Sequence, residues 1–240
     1  MIRRPGRSPG VFWLGGYRSD MNGTKAKAVD RYAASMDLAC TRFDYSGHGQ
    51  SGGRFEDGTI SRWLDDTSAV FDMTVGPQIL VGSSMGGWLA LLLSERERLT
   101  AEKRRIAGMV LIAPAVDMTR ELMWNSLSKA AKHELTAKGV YLEPSPYSEE
   151  PVPITKKLID DGELHLFGDR LIETGCPVHI IQGMKDEEVP YWHATGLLEH
   201  LASDDVVLTL VKDGDHRLSR PEDLERLQAA LAGMLQEIGD

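Results

Sequence analysis

Short apolar runs alternate with segments of helical periodicity along most of this chain. Four segments carry apolar residues every three or four positions, as in a helix packed against a sheet: residues 26–36, 60–71, 87–99 and 221–238. Six apolar runs have the length of buried strands: residues 11–14, 38–43, 79–81, 106–112, 176–181 and 206–211. This alternation predicts an α/β fold, a doubly wound and mostly parallel sheet of about six strands with helices on both faces.

One long segment interrupts the alternation. Residues 116–175 show no regular strand–helix pattern and carry four prolines: Pro144, Pro146, Pro151 and Pro153. The sequence therefore predicts a core domain of residues 1–115 and 176–240, with residues 116–175 inserted as a small lid (cap). Because the insertion follows a strand, we expect it above the carboxyl edge of the sheet, where open α/β sheets bind their ligands.

A Gly-x-Ser-x-Gly motif stands between the apolar run at 79–81 and the helical segment that follows. It reads Gly82-Ser83-Ser84-Met85-Gly86, with Ser84 at its centre. A strand-to-helix turn of this kind lifts a serine hydroxyl above the sheet edge, and its outer glycines let backbones approach closely. The motif predicts the nucleophile elbow of an α/β-hydrolase fold, with Ser84 as the nucleophile.

A serine nucleophile needs a general base and a carboxylate that orients the base. Two residues in the chain order of this fold follow the last two predicted strands, first Asp186 and then His216. We predict the catalytic triad Ser84, Asp186 and His216. Glu187 and Glu188 are alternatives to Asp186, since glutamate also serves as the acid in this fold.

Acyl transfer develops negative charge on a carbonyl oxygen, which two backbone N–H groups usually stabilise. One donor belongs to the residue after the nucleophile, here Met85, and the other to the loop after an early strand. That loop reads Gly15-Gly16-Tyr17-Arg18-Ser19-Asp20, and we assign the second donor to Tyr17. We expect Arg18 and Asp20 to pair and hold the loop; the alternative is that Arg18 binds an anionic group of the substrate.

The remaining motifs suggest no second chemistry. The Gly-rich stretch 44–53 lacks the Gly-Lys-Ser/Thr ending of a phosphate loop, so we interpret His48 as a loop residue. The chain has no H-E-x-x-H and no C-x-x-C motif, and we expect neither a metal nor a cofactor. Trp88 beside the elbow and Trp124 in the predicted lid are candidate substrate contacts, although packing also suits both side chains.

Composition and charge argue against several classes of protein. The 240 residues carry a net charge of -9 with a pI of about 5.3, which argues against a nucleic-acid partner. No apolar run approaches the roughly 18 residues of a membrane-spanning helix. Cys40 and Cys176 each lie in or beside a predicted strand, so we expect two reduced thiols. These features predict a cytoplasmic protein; an organelle-targeting segment removed upstream is the alternative.

Three segments resemble the small serine α/β-hydrolases related to a mitochondrial depalmitoylating thioesterase that also cleaves drug acyl-glucuronides. They are residues 15–26, 42–47 and 81–88. One departure is Gly15, where the loop of that relative has proline. The resemblance implies Ser84, Asp186 and His216 as the triad, an acyl-enzyme mechanism and no cofactor. It also implies a small-molecule ester or acyl-thioester substrate, or an acylated protein.

The leading hypothesis is a serine hydrolase that cleaves carboxylic esters or thioesters through an acyl-enzyme on Ser84. Hydrolysis of carbon–carbon bonds, or acyl transfer to an acceptor other than water, uses the same triad and is the alternative enzyme class. A catalytically inactive binding protein with the hydrolase fold is the alternative from outside the enzymes, since fold does not imply function. The presence of all three triad residues argues against that alternative.

Overall fold

The computed structural model describes residues 1–100, 104–144, 151–202 and 205–239. Its strands are β1 (Ile2–Arg4), β2 (Arg7–Leu14), β3 (Leu38–Arg42), β4 (Gln78–Ser83), β5 (Ile106–Ile112), β6 (Val140–Glu143), β7 (Val152–Thr155), β8 (Val178–Gly183) and β9 (Val206–Val211). Its α-helices are α1 (Thr24–Ser35), α2 (Ile60–Asp72), α3 (Met85–Thr100), α4 (Lys129–Lys138), α5 (Lys156–Gly162), α6 (Tyr191–His200) and α7 (Pro221–Gly239). Among the described residues, no helix has the length and apolar character needed to cross a membrane.

The main sheet has seven strands in the order β1-β3-β2-β4-β5-β8-β9. Every neighbouring pair is parallel except β1 and β3 at one edge. This confirms the doubly wound, mostly parallel sheet, and all six predicted strands are present. The additional strand, β1, reads Ile-Arg-Arg and is exposed, so it carries no apolar signal that a sequence pattern would reveal.

The central strand β4 is buried on both faces of the sheet. Successive side chains of a strand point to opposite faces. Ile79 and Val81 pack in a cluster with residues of α1 and α7, whereas Leu80 packs in a cluster with residues of α2, α3 and α6. Each such fully buried side chain contributes about 1.5–3 kcal/mol to stability. The residues at the carboxyl end of β4 are therefore held by a well-packed core.

Residues 116–175, the segment predicted as a lid, contain α4, α5, the antiparallel pair β6–β7 and a π-helical turn at Thr119–Trp124. They have a small hydrophobic cluster of their own: Leu127, Ala131, Leu135, Ile154 and Ile159. The elements are short, so their periodicity does not stand out in the sequence. Pro146, one of the prolines that marked this segment, lies outside the described residues. The role of the segment as a lid stays a prediction.

Candidate active site

Ser84 occupies the sharp turn between β4 and α3. Its φ is 54°, in the left-handed region that residues other than glycine rarely adopt. Its N–H donates to Ile112 O at 2.9 Å, and its carbonyl accepts from the N–H groups of Gly87 and Ala115 at 2.8 and 3.1 Å. These bonds maintain a backbone conformation that is unfavourable by itself, as is common at functional positions.

Two glycines make this turn sterically possible. A Cβ atom on Gly82 would lie 2.5 Å from the carbonyl oxygen of Gly86, and a Cβ atom on Gly86 would overlap the carbonyl of Leu14. The obstructing atoms belong to the backbone, which cannot move aside as a flexible side chain can. The two ends of the Gly-x-Ser-x-Gly motif therefore require glycine.

His216 and Asp186 form a hydrogen-bonded pair. His216 Nδ1 lies 2.8 Å from Asp186 Oδ2, and the Asp186 side chain is fully buried. The other carboxylate oxygen, Oδ1, accepts from the backbone N–H groups of Glu188 and Val189 at 3.0 and 2.8 Å. Because an ionised carboxylate only accepts, Nδ1 of His216 carries the proton and Nε2 is left to receive one.

Close backbone packing joins the loops around these residues. A Cβ atom on Gly183, at the end of β8, would overlap the carbonyl of Gly214, which precedes His216 by two residues. A Cβ atom on Gly16 would lie 3.3 Å from Ser84 Cβ and 3.9 Å from Ser84 Oγ. The loop after β2 therefore lies against Ser84, where a loop that supplies an oxyanion donor has to lie.

Glu187 and Glu188, the acidic neighbours of Asp186, do not take its place at Nδ1 of the His216 imidazole. Glu187 is exposed, and Glu188 lies on the other side of the ring, with Oε2 3.6 Å from His216 Nε2. Asp186 is thus the carboxylate hydrogen-bonded to Nδ1. The approach of Glu188 to Nε2 was not expected from the sequence.

Side chains from the loop after β3 hold the loop after β2. Asp44 Oδ1 accepts from the Met21 N–H at 2.6 Å, and the Tyr45 hydroxyl donates to Gly15 O at 3.2 Å. Asp44 and Tyr45 are both buried. The segment interpreted as a plain Gly-rich loop therefore positions the backbone next to Ser84.

His48 supplies a third bond to the same loop. Its Nε2 accepts from the Arg18 N–H at 3.2 Å, and its Nδ1 lies 3.3 Å from Ser46 O. Burial lowers the pKa of His48, which favours the neutral ring. A neutral ring with its proton on Nδ1 satisfies both contacts, since Nε2 is then an acceptor. His48 is a loop residue, as expected, and it anchors the neighbouring loop.

Arg18 and Asp20 do not pair, so that expectation is wrong. In the part of the chain that the structure describes, no ion pair joins them. Arg18 Nη1 donates to Pro151 O at 3.4 Å, and Asp20 Oδ1 accepts from the Asn22 N–H at 2.6 Å. Each side chain has a backbone partner instead. The alternative, in which Arg18 binds an anionic group of the substrate, stays a prediction.

Tyr17 and Met85 lie on two segments that adjoin Ser84. Met85 is the first residue of α3, where backbone N–H groups have no acceptor within the helix. Tyr17 follows Gly16, and its hydroxyl donates to Pro153 O in β7 at 2.8 Å. Burial raises the pKa of Tyr17, so the hydroxyl keeps its proton. The assignment of both N–H groups to an oxyanion hole stays a prediction.

The two tryptophans predicted as substrate contacts lie in different surroundings. Trp88 on α3 is fully buried in the core. Trp124 is partly exposed, and Lys132 Nζ lies 5.2 Å from its ring centroid. Trp124 also lines a cavity of about 420 Å³ that none of the three predicted triad residues lines. Trp88 therefore packs the core, and a substrate contact for either residue stays a prediction.

Two side chains that sequence reasoning missed support the Asp186–His216 pair. Gln182 Nε2 donates to Asp186 Oδ2 at 3.1 Å. Lys25, near the start of α1, donates its ammonium to the carbonyl of Arg217, the residue after His216. Burial lowers the pKa of Lys25 to about 8. No motif marks either residue, because both contacts depend on how distant segments pack.

A family model described as serine aminopeptidase, S33, matches residues 16–156 of this chain. The human mitochondrial palmitoyl-protein thioesterase ABHD10 is 37% identical over 235 residues, which cover 97% of this chain and 75% of that protein. These matches confirm the resemblance seen in the sequence.

Two solved structures are similar over nearly the whole chain. A putative hydrolase from Agrobacterium vitis S4 has a TM-score of 0.93 at 52% identity, covering 97% of this chain and 91% of that one. The mouse alpha/beta hydrolase domain-containing protein 10 has a TM-score of 0.89 at 34% identity, covering 99% and 93%. The chain therefore belongs to the serine aminopeptidase S33 family of α/β-hydrolases.

Proposed function

We propose that this chain is a serine hydrolase that cleaves carboxylic esters or thioesters through an acyl-enzyme on Ser84. One arrangement carries the proposal. Ser84 is held at positive φ after β4, Asp186 follows β8, and His216, which is hydrogen-bonded to Asp186, follows β9. These strands belong to one parallel array. Parallel strands bring their carboxyl ends to the same edge of the sheet, so all three residues belong to that edge.

In the proposed mechanism, His216 Nε2 takes the proton of Ser84 as Ser84 Oγ attacks the acyl carbon. Asp186 holds the ring in the tautomer that leaves Nε2 free and stabilises the imidazolium that forms. The imidazolium then protonates the leaving group, and the acyl group stays on Ser84. Water that loses its proton to His216 hydrolyses the acyl-enzyme, and the acid is released.

The negative charge of the tetrahedral intermediate needs donors that are already in place. The backbone N–H groups of Met85 and Tyr17 supply them in this proposal, because the loop of Tyr17 lies against Ser84. The bonds from Asp44, Tyr45 and His48 keep that loop in position. Loss of one oxyanion donor typically lowers turnover by about 10²–10³-fold.

The names of the similar proteins favour an acyl-thioester substrate. The human relative is named a palmitoyl-protein thioesterase, and we extend thioester cleavage to this chain as part of the proposal. A thiolate leaving group needs little protonation, so His216 is sufficient as the general acid in this mechanism. A small acyl-thioester, an ester or an acylated protein each fits this chemistry. That relative is also named mitochondrial, whereas a cytoplasmic location for this chain stays a prediction.

The test compares wild type with Ser84→Ala and Asp186→Asn on p-nitrophenyl esters and acyl thioesters of graded chain length. Both variants should lose at least about 10³–10⁴-fold in kcat while remaining folded. A fluorophosphonate probe should label wild type and fail to label Ser84→Ala. Ser83→Ala is the matched control, because Ser83 belongs to the same motif and lies in β4.

Three outcomes would contradict the proposal. Equal turnover in Asp186→Asn would show that the acid is misassigned. Accumulation of an acyl product other than the free acid, in the presence of an acceptor, would favour acyl transfer. Wild-type protein that neither turns over any substrate nor reacts with the probe would favour a binding protein with the hydrolase fold.

A further inference from the structure

Glu188 places a carboxylate beside Nε2 of His216, the nitrogen that exchanges a proton in the proposed mechanism. Its Oε2 lies 3.6 Å from His216 Nε2, which is beyond hydrogen-bond distance and leaves Nε2 free to exchange a proton. The backbone N–H of Glu188 donates to Asp186 Oδ1 at 3.0 Å, so its main chain is fixed to the buried acid. The carboxylate is therefore held near Nε2 by the same loop that orients the ring.

The charges around Glu188 do not neutralise it by a direct ion pair among the described residues. Burial raises the pKa of Glu143 in β6, and the negative charge of nearby Glu188 adds to that shift. Lys25 is a nearby cation whose ammonium donates to the carbonyl of Arg217, and the side chain of Arg217 is a second cation close to Lys25. Asp215, Asp186 and Glu188 all favour the charged form of Lys25. These three carboxylates outnumber the two cations, Lys25 and Arg217, so the net charge around the imidazole is negative.

This position matters because the leaving group departs from the region of Nε2. In the proposed mechanism, the bond between the acyl carbon and the leaving atom breaks as the proton on Nε2 passes to that atom. Any charge carried by the leaving group is then within a few ångströms of Glu188, whereas the acyl group stays on Ser84. The charge of Glu188 thus acts on the leaving group rather than on the acyl group.

We propose that Glu188 determines specificity for the leaving group, favouring substrates that carry a positive charge near the scissile bond over those that carry a negative charge. This inference rests on the proposed function. It predicts that peptides or small thiols with a basic group close to the acylated atom are better leaving groups than anionic ones. Glu188 touches no reacting atom in this proposal and acts through its charge.

The size of the effect follows from Coulomb's law. Glu188 has 45% of its side chain exposed, so water screens its charge substantially. At about 6 Å and an effective dielectric constant of about 50, one unit charge on the leaving group changes the rate by about sixfold. A cationic leaving group gains and an anionic one loses by this factor, so the two effects multiply in the ratio of their rates. Screening by salt reduces that product, and we expect a cation-to-anion preference of about tenfold.

The experiment uses three thioesters with the same acyl group. Their leaving groups are thiocholine, its uncharged isostere 3,3-dimethylbutanethiol, and 2-mercaptoethanesulfonate. All three give the same acyl-enzyme, so the rate of deacylation is common to them. Because the three thiols differ in acidity and so in intrinsic leaving ability, the readout is the cation-to-anion ratio of kcat/KM in wild type divided by the same ratio in Glu188→Gln. This quotient should be about ten, and it should shrink at high salt.

Glu188→Gln should lower the cation-to-anion ratio of kcat/KM about tenfold from its wild-type value, because glutamine keeps the shape and loses the charge, while the intrinsic difference between the thiols is the same in both proteins. Glu187→Gln is the matched control, since it removes the same charge from the adjacent exposed residue, and it should keep most of the preference. Any general damage to the site cancels in the ratio. A ratio that is unchanged in Glu188→Gln overturns this inference even if all three thioesters are cleaved. If wild type cleaves none of them and resists the fluorophosphonate probe, the proposed function fails and takes this inference with it.

Discussion

Lys25 is a charged residue that the fold keeps beside the loop that carries His216. Burial lowers its pKa from 10.5 to about 8, although Asp215, Asp186 and Glu188 oppose that shift. Between these two pH values the unfolded chain binds more protons at this residue than the folded chain does. The contribution of Lys25 to the free energy of unfolding therefore increases as the pH rises through that window, and it is constant below it.

The variant Lys25→Gln tests the predicted direction of this pH dependence. The difference in unfolding free energy between wild type and Lys25→Gln should shift in favour of wild type between about pH 7 and about pH 10. Urea unfolding at several pH values measures it, and Lys27→Gln, an exposed lysine of the same helix, corrects for the loss of one positive charge. A difference that stays level across this range would mean that Lys25 is solvated like an ordinary surface lysine.

Single residues divide into those that chain order reveals and those that it does not. Ser84, Asp186 and His216 follow predicted strands in the order of a known fold, so each could be predicted as a triad residue from the sequence. Glu188 and Lys25 acquire their roles only through tertiary contacts with His216 and Arg217. A carboxylate or ammonium in a polar loop has no periodicity and no motif to distinguish it from a solvated charge.

Helices and strands were predictable from the sequence where burial of one face imposes a regular spacing of apolar residues. The strand at Ile106–Ile112 and the helix from Pro221 were predicted almost to the residue, because each has an apolar face packed in the core. The short elements of residues 116–175 were missed, since they share only a small cluster of apolar residues. The expected Arg18–Asp20 pair also failed at this scale, because the Pro151 carbonyl lies within reach of Arg18 and the neighbouring Asn22 N–H lies within reach of Asp20.

The bond from Tyr17 to Pro153 links the loop beside Ser84 to β7 in the predicted lid. Tyr17→Phe removes the hydroxyl and keeps the ring that packs against Phe55 and Trp63. The loss should cost about 0.5–1.5 kcal/mol and loosen β7. Faster hydrogen exchange in the backbone amides of β7 would show this directly.

Tyr191→Phe is the control for the Tyr17 variant, because that tyrosine is among the exposed hydrophobic residues. If Tyr17→Phe leaves the exchange of β7 at the wild-type rate, the hydroxyl is not what holds the strand. The comparison thus separates this hydrogen bond from the aromatic packing around it.

The sheet as a whole keeps the two cysteines apart. Cys40 lies on β3 and Cys176 just before β8, and both are buried and free. Four strand spacings separate β3 from β8 in the sheet order, or about 19 Å, which no disulfide spans. This confirms the expectation of two core thiols. Burial raises the pKa of each to about 12, so almost no thiolate exists at neutral pH.

A thiol reagent should therefore react with neither cysteine in the native protein and with both after unfolding in urea. The rate in native protein should follow the rate of global or local opening and change little with reagent concentration once opening is limiting. Rapid labelling of the folded protein would show that β3 or the start of β8 opens readily.

The hydrogen bonds from Asp44, Tyr45 and His48 to the loop after β2 affect how active serine hydrolases can be identified from sequence. None of these side chains reacts in the proposed mechanism, yet they position the backbone loop that is proposed to supply an oxyanion donor. A related chain that kept serine, aspartate and histidine in order but lost these three anchors would pass a motif search and lack the geometry. Inventories of active members should therefore score the anchoring loop together with the reacting groups.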